Sequence, residues 1–288
     1  MLVIHRINKD NTGDMAACPL QYWDMPHSSL DLDDPKFNDK IQTCNETIII
    51  GGGGLLNFCP DWNGRINYAL KYATEKRLKI YGWGLGYNRH MGDNTDLPSL
   101  ELYRFTSLGI RHRVEGYPLV PCASCMSNLI QYKGATELNP GIIEHLGNRI
   151  TDLPYPKISN NSTLKQITDF ITAHNPIITN TYHGGYWTTL IGKSLILYKP
   201  FSERHYNQLG TYIETHNHKQ VKEAIDCRKP QIKECLSNCR KINEQFLNAS
   251  ITFYLLSYSV FSLHSLFSLP LLCPIPPGSI PRFPIRPA

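Results

Sequence analysis

Ile177-Ile178-Thr179-Asn180-Thr181-Tyr182-His183-Gly184-Gly185 passes from an apolar run through small polar residues to a histidine and a glycine pair, and another apolar segment follows. That grammar predicts a strand feeding a sharp turn into a helix. In an open parallel sheet the C-terminal strand edges face the ligand crevice, and the next helix brings unpaired N–H groups and its positive dipole end to the same place. His183 falls there. A lone histidine is more often a satisfied turn residue. Here Gly184 and Gly185 allow close backbone approach, and Thr179, Asn180, Thr181 and Tyr182 crowd donors around one imidazole, which favours a functional role.

Around this stretch the chain repeats β and α patterns. A helix near Tyr186–Ile191 and a strand at Ser194–Tyr198 follow it. Before it, a helix at Ser162–Ile171 carries Leu164, Ile167, Phe170 and Ile171 on one face. Pro154-Tyr155-Pro156 reads as a domain linker, because proline continues neither neighbouring element. The expected division is a first domain at 1–153, a second at 154–248 and a tail at 249–288. A last amphipathic helix is predicted over about Lys219–Phe246, with a break at Pro230.

In the first half, Leu2-Val3-Ile4 predicts a strand, and Asn11-Thr12-Gly13-Asp14 is either a plain turn or a ligand loop ahead of a helix start. Thr47 to Leu56 holds a buried strand running into Gly51, Gly52, Gly53 and Gly54, read as a turn whose amides approach an anion or as tight strand–helix packing. It fits neither G-x-G-x-x-G nor a Walker motif. A helix over about Trp62–Lys76 and a strand with alternating glycines at Lys79–Tyr87 complete a βαβ unit and imply a parallel sheet. Phe105–Val114 predicts a further strand whose Arg111 suits fork-like recognition of a carboxylate or phosphate. Cys122 and Cys125 form one C-x-x-C without a second pair at zinc spacing; a partly buried structural loop, a redox or nucleophilic thiol and a metal site are its readings, in that order.

The 288 residues accommodate two modest cores, and a hydrophobic share of 41% is ordinary for a soluble protein. A net charge of +5 and a pI near 8.6, without a Lys/Arg run, fit a small anionic ligand better than nucleic acid. Nine scattered cysteines and an N-terminus lacking a long apolar stretch point to reduced thiols in the cytoplasm. From Ile251 to Cys273 the chain is apolar and uncharged and then becomes Pro-rich, which makes the tail a candidate membrane contact or a non-native, poorly ordered terminus.

Taken together, Asn11-Thr-Gly-Asp14, Ile48-Ile-Ile-Gly-Gly-Gly-Gly-Leu-Leu56, Tyr81-Gly-Trp-Gly-Leu-Gly86, Gly109-Ile-Arg-His112 and Thr179-Asn-Thr-Tyr-His-Gly184 resemble, in order, the polysaccharide pyruvyl transferases. The resemblance covers roughly Met1 to Arg204. It implies an α/β, GT-B-like pair of Rossmann-type parallel-sheet domains facing a cleft, the second one short. It also implies transfer of pyruvate from phosphoenolpyruvate to sugar hydroxyls of a polysaccharide precursor as a ketal, with phosphate released and without a cofactor or metal. The partners would be phosphoenolpyruvate and a glycan or lipid-linked sugar acceptor, in the cytoplasm or at the membrane surface. Position by position, His183 resembles the family's active-site histidine and Arg111 its donor-binding arginine. The expected substrate contacts are Arg111, Asn11, Gly13, Asp14, Gly52, Gly53, Thr181, Tyr182, Gly184, Lys199 and Arg204. Thr181 stands where many members have an arginine, and His112 where an acidic residue often follows Arg111. A nucleotide-sugar glycosyltransferase and a non-catalytic anion- or sugar-binding relative are the alternatives.

Overall fold

A computed structural model describes residues 1–206 and 208–259. The apolar runs of the first half become β1 (Leu2–His5), β3 (Ile48–Leu56), β4 (Ile80–Tyr87) and β5 (Ser107–Ile110), joined at the edge by β2 (Ser28–Asp31). They form one sheet of order β2-β1-β3-β4-β5 in which every pairing is parallel. A second sheet holds β6 (Gly141–Glu144), β7 (Lys157–Ser159), β8 (Ile177–Thr179), β9 (Leu195–Tyr198) and β10 (Tyr212–Thr215), also wholly parallel. Its order is β10-β9-β8-β6-β7. From the opposite edge that is the order of the first sheet, strand for strand. In each the direction of winding reverses between the first and third strands, and such a switch point opens a crevice at the carboxyl ends. The chain is therefore α/β with two Rossmann-like parallel sheets of five strands each.

Because β6 precedes Pro154 and belongs to the second sheet, the boundary near 153 moves towards Gly141. The proline stretch is the loop from β6 to β7, inside the second lobe. Gly51–Gly54 are not a turn either: they lie inside the nine-residue β3, fully buried. Side chains there would drive Cβ atoms into the Trp83 carbonyl at Gly51 and the Ala17 carbonyl at Gly52, so close packing against β4 and the segment after α1 demands glycine.

Helices α1 (Thr12–Ala16), α2 (Phe37–Gln42) and α3 (Pro60–Glu75) serve the first lobe, and α3 turns Trp62, Ile66, Ala69, Leu70 and Ala73 into its core. In the second lobe α4 (Leu164–Ala173) starts on a Thr163/Gln166 capping box. Helix α5 (Tyr182–Ile191) is buried along nearly its whole length and ends at Gly192, in the left-handed region at φ 93°. The predicted last helix is two, α6 (His218–Asp226) and α7 (Glu234–Ser259), with Pro230 between them. Helix α7 returns to the first lobe: Trp83 Nε1 donates to Asn243 Oδ1 at 2.8 Å, and the Trp83 and Phe246 rings lie 5.2 Å apart. The tail expected at 249–288 is helical up to Ser259, and from 260 onward it lies outside the described residues. Among the described residues no helix is long and apolar enough to cross a membrane.

Candidate functional site

The two switch points face one another. From the first lobe, Asn11 caps α1 by accepting from Gly13 N at 3.1 Å, and Asp14 sits in the first turn. From the second, Thr181 caps α5 by accepting from Gly184 N at 3.0 Å. Thr181 N in turn donates to Thr179 Oγ1 at 3.0 Å, and Thr179 Oγ1 donates to the Ile143 carbonyl at 2.6 Å. This network fixes the start of α5 and so the position of His183 in its first turn. The lobes meet directly beside it, where Thr12 N donates to the Asn160 carbonyl at 2.9 Å.

Between them lies a small cleft lined by Asn11, Gly13, Asp14, Thr181, Tyr182, His183, Gly184 and Arg204, together with His145, Asn160 and Trp187. Gly13 is indispensable to its shape, because a Cβ there would overlap the His183 ring. Arg204 arrives on the loop after β9, which docks on the first lobe through Ser202 Oγ donating to Asn88 Oδ1 at 3.0 Å and Glu203 N donating to the Arg89 carbonyl at 3.1 Å.

Arg111 stands behind Tyr182, immediately after β5. Its guanidinium lies 3.7 Å from the Tyr182 ring centroid in a slot where side chains on Gly54 or Gly86 would collide with it. It is 1% exposed, and none of its three nitrogens has a hydrogen-bond partner among the described residues. The Tyr182 hydroxyl and Arg204 Nε are also unpartnered there. Cations buried this way normally have an anion at hand. By contrast Arg149, outside the cleft, pairs with Glu144 at 2.6 Å.

The site's charges perturb one another. Burial, opposed by Arg204, Arg6 and Arg111, raises Asp14 to about 6. Burial, reinforced by Arg111 and Arg204, holds His183 well below the usual imidazole range. Burial also lowers Arg204 to about 10, against the pull of Asp14. His145 is depressed by burial and then by Arg204. His183 is thus held neutral beside two cations, and a dianion in the cleft would favour the imidazolium.

Of the expected contacts, Asn11, Gly13, Asp14, Thr181, Tyr182, His183, Gly184 and Arg204 come together, with Arg111 against the back of Tyr182. Gly52 and Gly53 do not join them; they are packed into β3, away from the lining. Lys199 does not either, since its ammonium pairs with Asp152 at 2.7 Å on the surface. The hydroxyl of Thr181 is occupied in capping. His145 and Asn160 escaped the sequence reading because each follows one of the short strands β6 and β7, which were unread. Their signal is that both stand one residue past a strand end at a switch-point edge. Cys122 was not linked to the site: its Sγ lies 3.5 Å from His183 Nε2, across 61 residues of sequence. Among the described residues no three His, Cys, Asp or Glu side chains are gathered as for a metal ion.

Comparison of the chain with protein-family profiles, with curated proteins and with solved structures gives no match in any of the three.

Proposed function

We propose that the cleft binds phosphoenolpyruvate and transfers its pyruvyl group, as a ketal, to hydroxyls of a glycan or lipid-linked sugar, on a GT-B-like arrangement of the two lobes. The observation that carries this reading is a small cleft lined by Arg204, Asp14 and His183, with Arg111 buried behind Tyr182 and without a hydrogen-bond partner among the described residues. The donor's carboxylate and phosphate answer the Arg204 guanidinium and the amides at the start of α5, with Arg111 adding its charge from behind Tyr182. Arg204 supplies the cation that the threonine at 181 does not.

Ketal formation needs a proton delivered to the methylene carbon of the enol and another removed from the attacking hydroxyl. His183, charged once the dianion is bound, delivers the first. Asp14, ionised near neutral pH with a value of about 6, accepts the second. Attack at the adjacent carbon by one hydroxyl, departure of phosphate with the proton that Asp14 had taken, and attack by a second hydroxyl, whose proton passes to His183, complete the ketal.

The test is incubation of the full chain with phosphoenolpyruvate and a panel of glycan acceptors. Acceptor-dependent phosphate release, lost in His183→Ala, is the expected outcome. Release of a nucleoside diphosphate from a nucleotide sugar instead would replace this reading with a glycosyltransferase. Binding of phosphoenolpyruvate without turnover on any acceptor would leave an anion-binding protein.

A further inference from the structure

Trp187 lies one turn beyond His183 on α5, and its indole N–H donates to Ser124 Oγ at 3.0 Å. An indole nitrogen can only donate, so the Ser124 oxygen accepts there and its own proton is free. That proton goes to Cys122 Sγ, 3.3 Å away. With Sγ accepting from Ser124, the remaining S–H has His183 Nε2 as an acceptor at 3.5 Å. Cys122 and Ser124 are wholly buried and Trp187 is 1% exposed, so bulk solvent does not compete for these groups. The order of donation is therefore imposed from the indole end.

We propose that Cys122 is a positioning residue for His183: the buried series Trp187, Ser124, Cys122 delivers an S–H to Nε2 and holds the ring as its Nδ1–H tautomer. The inference rests on His183 being the working imidazole of the proposed reaction. Nδ1 is the ring atom nearest the place a Gly13 side chain would occupy. Burial keeps the thiol protonated by pushing it up, and burial with Arg111 and Arg204 keeps the ring neutral. A protonated thiol thus meets a nitrogen lone pair. When the ring becomes imidazolium the same contact persists with its sense reversed, because Sγ can accept from Nε2–H. The ring then keeps its place in both protonation states, as a proton-transferring histidine requires. The fragment Pro121-Cys122-Ala123-Ser124-Cys125 takes on a defined task here. Its first cysteine orients the histidine.

The test is the long-range nitrogen–proton spectrum of histidine-labelled full-length protein at pH 7, with the His183 signal assigned by its loss in His183→Gln. The wild type is expected to show the Nδ1–H pattern. Cys122→Ser should retain it, because a hydroxyl replaces the thiol donor, and Cys122→Ala should shift it to the Nε2–H form or to a mixture. Should Cys122→Ala fail to fold by near-ultraviolet dichroism, Ser124→Ala serves in its place, with a partial shift expected. An Nε2–H ring or an imidazolium in the wild type, or an unchanged ring in the folded alanine variant, overturns the proposal. In the turnover assay Cys122→Ala should lose on the order of 10²-fold in kcat at similar KM, with most of it regained in Cys122→Ser. Absence of turnover in the wild type would sink the pyruvyl reading alone, since the spectrum reports the tautomer independently.

Discussion

The two sheets share one strand order and face one another at their switch points, yet they furnish the cleft differently. The first lobe contributes bare backbone: Gly13 against the imidazole, and Gly54 and Gly86 around the Arg111 guanidinium. The second contributes side chains locked in place by one another, from Thr179 and Thr181 to His183. Arg149 is neutralised by Glu144, whereas among the described residues neither Arg111 of the first lobe nor Nε of Arg204 of the second has a partner. The first lobe makes room for Arg111 and adds Asp14 to the cleft, and the second arranges His183 and Arg204 there. A shared topology therefore fixes where a ligand can lie, while the residues at each edge decide what happens to it.

The comparison is broken most directly at Gly13 and His183. Gly13 has no left-handed backbone, so Gly13→Ala should leave α1 and the fold intact while displacing the imidazole. Turnover of phosphoenolpyruvate should fall by roughly 10²- to 10⁴-fold, as in His183→Ala, with thermal unfolding little changed. Retained turnover in the glycine variant would mean that the bare surface is not needed.

Arg111→Met should separate binding from stability. Removing an unpaired buried cation is expected to raise the unfolding free energy by about 1–4 kcal/mol in denaturant titrations. The same change should abolish the stabilisation that phosphoenolpyruvate confers on the wild type. A loss of stability would instead reveal that the guanidinium is internally compensated.

Asp14 sharpens the electrostatic side. Its folded value of about 6 exceeds the ordinary 3.8, so the folded chain binds more protons than the unfolded chain between those limits. Its contribution is present below about pH 4 and lost as pH rises through 6, a change of roughly 2–3 kcal/mol. The difference between wild-type and Asp14→Asn stability curves isolates that slope. A flat difference would show that the carboxyl is not desolvated.

The smallest effect is expected at Thr181→Ala, which removes the α5 cap at a cost of about 1 kcal/mol. Turnover should suffer more than stability, because His183 sits in the turn that the cap fixes.

Much of this arrangement was legible in the chain. The run from Ile177 to Gly185 specified strand, turn and helix, and the glycine-punctuated strands specified a parallel sheet. What escaped was whatever depends on distant partners. Four residues of β6 between Pro140 and His145 carry too little periodicity to announce a strand, so the lobe boundary was set too late and His145 was missed. Four glycines resemble a loop unless Ala17 and Trp83 are known to press on them. Lys199 looked available until Asp152 was seen beside it, and nothing near Cys122 indicates an imidazole 61 positions later.

The contact between Trp83 and Asn243 spans 160 residues. At synthesis rates of ~5–20 residues per second, the indole waits roughly 8–30 s on the ribosome for its partner. Until α7 emerges, the face around Trp83, Val120 and Tyr81 lacks Phe246, and the nascent first lobe shows a sticky, half-finished flank. Chaperone occupancy during translation should therefore peak late, and chains stalled short of Asn243 should be the ones that aggregate.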